Sequence, residues 1–272
     1  MADRIDLHVH VFPEKMFKAV WDYFEFFGWN VHHQLAGQIA ATLMSHGITQ
    51  AVALSYPHKK GIAGSLNRFM ASLASDHPIF IPFASVYPDD DDFREIVDFS
   101  LTSPHIFGFK FQPLVQQFDI NDPRLDYLYE NCMERDMPLI IHIGSGPMNH
   151  EFVGFDYFKK LMRRFETLRV CVPHMGLTEY NEFLYMLDDH PKMFLDTTMI
   201  NTRTDFFDTI YHGDTETLMK HADRICFGSD WPIVPYHYQE AIDSVSRFGF
   251  TEEQLNHVFY ENALTFLNLK TS

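Results

Sequence analysis

Cysteine is scarce in this chain, and what there is stands apart. The 272 residues hold three, Cys132, Cys171 and Cys226, with no C-x-x-C pair. That excludes a disulfide framework. Cys171 and Cys226 fall inside apolar runs and are expected as buried free thiols in a reducing compartment. Long apolar runs are missing too: none approaches the ~20 residues that cross a bilayer. The opening MADRIDLHVH has no basic segment leading into an apolar one, so no signal peptide is visible. No basic amphipathic stretch suggests a membrane surface. A cytoplasmic protein without a membrane partner is the expectation. Positive charge is in deficit, with 21 Lys and Arg against 37 Asp and Glu, a net −16. So acidic a chain repels phosphate backbones, which counts against nucleic acid as a partner. A local Lys or Arg can still hold a small anionic substrate. Gly/Ser linkers, low-complexity segments and abrupt shifts of composition are also absent, so residues 1–272 are expected to form one domain.

What is present is a rhythm. Short β-branched or aromatic runs recur as IDLHVHVF, ITQAVALS, PIFIPFASV, IFGFKFQP, PLIIHIG, RVCVPHMG, KMFLDTT and RICFGSDWP. After the first, their starts are separated by about 25 to 35 residues, the length of one βα unit. Helical patterns fill the gaps. QIAATLMSHG ends on Gly47, a plausible C′ residue. NDPRLDYLYENCMERD begins with Asp122 as N-cap and Pro123 at N1. FDYFKKLMRRF and TETLMKHAD follow the same logic, and TEEQLNHVFYENALTFLNL opens with a capping box from Thr251 to Gln254. The widest gap, residues 13 to 47, carries the aromatic MFKAVWDYFEFFGW, expected as an extra helix over a barrel mouth. Eight alternating units in a chain of this length predict a (β/α)8 TIM barrel, a fold that typically takes about 250 residues.

In such a barrel the chemistry sits at the C-terminal ends of the strands. In the first strand, period-two alternation puts Asp6, His8 and His10 on one face and Ile5, Leu7, Val9 and Val11 on the other. Two imidazoles at i and i+2 can meet one small cation. Alone, the pair reads equally well as two polar residues on a half-exposed strand. The later strands change the balance. The fourth carries Lys110 between Phe109 and Phe111, the fifth ends in His142, the sixth in His174 and the eighth in Asp230. Each has an ordinary explanation, such as a hydrogen-bonded structural histidine, a snorkelling lysine or a helix cap. Polar groups ending five strands at one mouth are costly unless paired or metal-bound, and together they point to a metal site.

These residues carry a resemblance. IDLHVH, PLIIHIG, VPHMG, FGSDWP and the terminal ENALTFLNL, spread from residue 5 to about 269, look like the amidohydrolase superfamily of metal-dependent barrels. They are most similar to its amidohydrolase-related branch, which includes hydrolases and the aminocarboxymuconate-semialdehyde decarboxylase group. The resemblance implies that His8, His10, His142 and Asp230 hold a divalent metal, most often one zinc, with manganese as the alternative. It implies that a water completes the site and is made acidic by the metal. His174 would then be the general acid or base, and Asp230 could take the water proton. Lys110 stays open between two roles. In mononuclear members it binds substrate or supports the wall; in binuclear members a carboxylated lysine bridges a second metal. The mononuclear form is the usual one in this branch.

The expected activity is hydrolysis of a lactone, ester or amide in a small organic acid. Non-oxidative decarboxylation of an aromatic or semialdehyde acid on the same site is the alternative. A phosphoesterase or nuclease is opposed by the acidic charge, and a silent binding barrel by the full set of ligands. Substrate-binding candidates lie in loops after the strands: Arg203, as a carboxylate anchor by bidentate pairing, and Trp231, with Tyr56, His58 and Gln112 as further positions; for all but Trp231 a solvated loop residue is the ordinary reading. His32 and His33 read as surface or lid residues. The sequence leaves a homo-oligomer open.

Overall fold

The structure is a computed structural model that describes residues 3–146, 151–204 and 209–269. Eight strands run in chain order around one parallel sheet: β1 Ile5–His10, β2 Gln50–Leu54, β3 Phe80–Ala84, β4 Gly108–Phe111, β5 Leu139–Ile141, β6 Val170–Val172, β7 Met193–Asp196 and β8 Ile225–Cys226. Backbone bonds from Leu7 N to the Phe227 carbonyl, from Asp230 N to the His8 carbonyl and from His10 N to the Trp231 carbonyl join the last strand to the first. The result is the expected (β/α)8 TIM barrel.

The strand residues divide between two apolar layers. Val52, Leu54, Ile81, Phe83, Ile140, Cys171, Phe194 and Cys226 pack with one another inside the barrel. Their neighbours Ala51, Ala53, Phe109, Phe111, Leu139, Ile141, Val170, Val172 and Leu195 pack outward under the helices. Both faces are buried, as parallel strands in α/β folds require. The helix Asn262–Phe266 closes the interior layer with Ala263, Leu264 and Phe266. Asn262 Nδ2 secures it by donating to the Ala222 and Ile225 carbonyls at the start of β8.

The helix punctuation behaves as its chemistry dictates. Gly47 takes φ 77° after helix Ala36–Ser45, Asp122 accepts from Arg124 N ahead of Asp126–Arg135, and Thr251 and Gln254 form the capping box. The aromatic stretch after β1 is the helix Glu14–Phe26, with Phe17 and Trp21 buried. All three cysteines are buried free thiols. No described helix is long and apolar enough to cross a membrane.

One expectation fails in β1. Asp6 pairs with Ala51 of β2, but Val9 pairs with Ala53, so Leu7 and His8 together oppose a single residue. This is a bulge, and it resets the alternation. Ile5 and Leu7 belong to the interior layer while Val9 and Val11 lie under the helices. Asp6 is therefore not on the face of His8 and His10. It accepts a 2.7 Å bond from Tyr238 Oη on the helix Tyr238–Ser246.

Candidate metal centre at the barrel mouth

The bulge brings His8 and His10 to the top of the barrel beside Asp230. His10 Nε2 stands 2.8 Å from Asp230 Oδ1, and His8 Nε2 3.4 Å from the same oxygen. These three buried side chains offer two imidazole nitrogens and a carboxylate oxygen within 4.8 Å of one another. Burial drives both imidazoles below the ordinary histidine range, far below for His8, so each keeps a lone pair at neutral pH. Burial works to raise the Asp230 carboxyl, but the surrounding histidines, His10 among them through its 2.8 Å contact, outweigh it and shift the group below the usual carboxylate range. Two neutral nitrogens and one carboxylate suit a divalent metal ion.

Each of these groups is fixed from behind. His8 Nδ1 lies 3.0 Å from Asp196 Oδ2, so the imidazole donates from Nδ1 and turns Nε2 towards Asp230. Asp230 sits at φ 61°, a left-handed conformation uncommon outside glycine and found chiefly where surrounding structure enforces it. Here the Asp230 N bond to the His8 carbonyl does so, together with Ser229, whose N donates to Asp6 Oδ1 at 3.1 Å. Asp6 also accepts from His8 N at 3.0 Å, so it braces β1 and the β8 loop together. Its burial raises the carboxyl to about 7 against the hydrogen bonds that lower it. Gly228 makes room: a Cβ there would lie 2.4 Å from Thr198 Oγ1 and 3.0 Å from His8 Cβ.

Lys110 has no exposed surface and points inward from β4, with Nζ 3.3 Å from His8 Nε2. Burial lowers its amine to about 8. His142 follows β5 and is held neutral by burial, then by the nearby His174 and Lys110. His174 also has left-handed geometry, φ 55°, in the turn after β6. Its N donates to Asp196 Oδ1, its Nδ1 lies 3.1 Å from the Thr198 carbonyl, and its Nε2 lies 3.1 Å from His142 Nδ1. The carbonyl requires the His174 proton on Nδ1. Nε2 then accepts from His142 Nδ1, which leaves His142 Nε2 bare. His142 is thus joined to the site through His174 and lies outside the tight group of His8, His10 and Asp230.

The loop positions divide. Tyr56 is buried with its ring edge-on to His10, 5.7 Å between centroids. Gln112 is buried in phase with Lys110, and its Oε1 has no hydrogen-bond partner. His58 is exposed. Arg203 is exposed as well, and its backbone N donates to Glu240 Oε1. Trp231 is buried beneath the His32 ring, 4.1 Å away, and spends its indole N–H on Gln34 Oε1. His32 is therefore packing rather than free surface, while His33 stacks on Trp21 at 4.4 Å.

The residue that sequence reasoning missed is Asp196. It ends β7 in phase with the interior Phe194, the same pattern that singled out His142 behind Ile140. KMFLDTT carries the signal: its Asp196 stands two residues after Phe194, at the strand's end.

The fold and the site are those of a parallel (β/α)8 barrel with a buried His-His-Asp group able to hold a metal ion at its mouth. The model of the amidohydrolase family matches residues 5–269, nearly the whole chain, and the protein belongs to that family. Comparison with curated proteins finds no match. Solved structures with the same fold include an uncharacterised TIM-barrel protein from Bordetella bronchiseptica, 17% identical with TM-score 0.73 over 98% of this chain and 99% of that one. The 5-carboxyvanillate decarboxylase of Sphingomonas paucimobilis is 14% identical, TM-score 0.71, over 99% and 100%. A probable 2-pyrone-4,6-dicarboxylic acid hydrolase from Acinetobacter baumannii is 16% identical, TM-score 0.66, over 98% and 100%.

Proposed function

We propose that this protein is a metal-dependent hydrolase of a small organic substrate carrying a lactone, ester or amide bond. The observation that carries the reading is the convergence of His8, His10 and Asp230 on one point. These three, with His142 as the fourth ligand, would hold one divalent ion, zinc before manganese. When bound, the ion supplies Lewis acidity towards a carbonyl and lowers the pKa of water.

The chain's own groups do the rest. Asp230, held ionised, accepts the proton lost by the attacking water at its carboxylate. His174 would act as general acid or base at Nε2 once its bond from His142 Nδ1 opens, and the Thr198 carbonyl keeps its ring aimed. Tyr56, edge-on to His10, adds aromatic surface beside the site, and the unpaired Gln112 amide oxygen would take a substrate donor. Lys110 supplies a buried amine beside His8 for an acidic or carbonyl oxygen of the substrate.

Decarboxylation is the second reading, favoured by the fold shared with the 5-carboxyvanillate decarboxylase. The same groups would then deliver a proton to carbon. Zinc- and manganese-loaded protein is screened against lactones, esters and aromatic or muconate-type acids, with proton release and CO₂ followed separately. Hydrolysis of a lactone or ester supports the proposal. CO₂ release from an aromatic or semialdehyde acid, with no hydrolysis of any lactone or ester, would replace it with decarboxylation.

A further inference from the structure

We infer that Asp196 is a positioning residue that sets the tautomer of His8 and, through its other oxygen, the place of His174. The inference rests on the metal-site reading above and assigns a role to a residue outside the proposed ligand set.

Asp196 has no exposed surface. Its two oxygens divide their work. Oδ2 faces His8 Nδ1 at 3.0 Å. Oδ1 accepts the backbone N–H of His174 at 2.9 Å and that of Thr198 at 3.0 Å. Thr198 in turn holds the His174 ring by its carbonyl. One carboxylate therefore links a proposed metal ligand to the proposed proton carrier, from the floor of the site.

The consequence for His8 is chemical. A carboxylate can only accept, so His8 must carry its proton on Nδ1 and present the Nε2 lone pair to the mouth. Lys110 Nζ donates to that same lone pair. The carboxylate also braces the left-handed turn at His174, where the backbone needs an external acceptor to stay put.

Asp196→Asn separates the two roles, because the geometry dictates how the amide must lie. Two backbone donors converge on the Oδ1 position, so the amide oxygen takes that side. The NH₂ is then left facing His8 Nδ1. A donor there forces the imidazole to the opposite tautomer, with its proton on Nε2, where a metal would bind. The turn at His174 keeps its acceptor.

The test uses the full chain. Metal-stripped wild-type protein is titrated with Co²⁺, followed by visible absorption and by Zn²⁺ competition. Asp196→Asn is treated in parallel, and the His8 tautomer is read in both by ¹⁵N-histidine NMR. The expected result is an Nδ1–H tautomer in wild type and Nε2–H in the variant, with metal affinity lowered by about 10- to 100-fold. Wild-type affinity in Asp196→Asn overturns the inference. So does an Nε2–H tautomer of His8 in the wild type, a measurement that stands even where the variant does not fold. Should wild type bind no metal at all, the metal-site reading falls, while the NMR arm still decides whether Asp196 sets the tautomer.

Discussion

His174 Nε2 and His142 Nδ1 lie 3.1 Å apart, and the proton between them belongs to His142. The pair thus assigns its members different duties: His142 keeps a bare Nε2, while His174 holds it from behind and can take a proton at Nε2 only when this bond opens. His174→Ala is expected to retain the metal and lose turnover by about 10²- to 10⁴-fold, the range of a missing general acid or base. His8→Ala is expected to lose the metal itself. Elemental analysis beside steady-state kinetics checks both. A His174→Ala protein that loses its metal would make His174 a ligand instead.

Lys110 decides between one metal and two. Its amine is buried 3.3 Å from His8 Nε2, and in a binuclear site it would be carboxylated. The proposal is mononuclear, so Lys110→Met should leave metal content unchanged and raise KM for an acidic substrate. Loss of a second equivalent of metal, restored in part by short carboxylic acids, would establish the bridged form.

Gly228 tests how tightly the site is built. A methyl group there would stand 2.4 Å from Thr198 Oγ1, 3.0 Å from His8 Cβ and 3.3 Å from Asp196 Cγ. His8 Cβ and Asp196 Cγ stand near the backbone and cannot swing away. Gly228→Ala is expected to destabilise the fold by about 1–3 kcal/mol, as overpacking does. It should also weaken metal binding by shifting His8. Urea denaturation and Co²⁺ titration measure the two effects. Unchanged values in both would show that the space behind His8 is slack.

Much of this site was legible because barrel strands impose a simple code. Period-two alternation and the rule that chemistry sits at C-terminal strand ends were enough to pick out His8, His10, Lys110, His142 and Asp230; His174 is in phase with the outward Val170 and Val172, and only the left-handed turn after β6 brings it to the site. The code broke where the backbone did. The bulge at Leu7–His8 moved Asp6 to the helix side, and no local residue pattern marks a bulge in a buried parallel strand. Asp196 obeys the code, in phase with the interior Phe194 at the end of β7. The loop residues obey no period at all. Trp231 gives its N–H to Gln34, and Arg203 meets Glu240, partners distant in the chain and brought near only by the closed barrel.

The most direct test of the account is the metal itself. Protein grown in zinc- or manganese-supplemented medium is crystallised, and anomalous scattering is collected at the metal edge alongside elemental analysis. The account predicts about one ion per chain, at a single anomalous peak between His8 Nε2, His10 Nε2 and Asp230, with His142 completing the protein ligands. A protein that carries no metal after supplementation, or a peak that His8, His10 and Asp230 do not share, would contradict it.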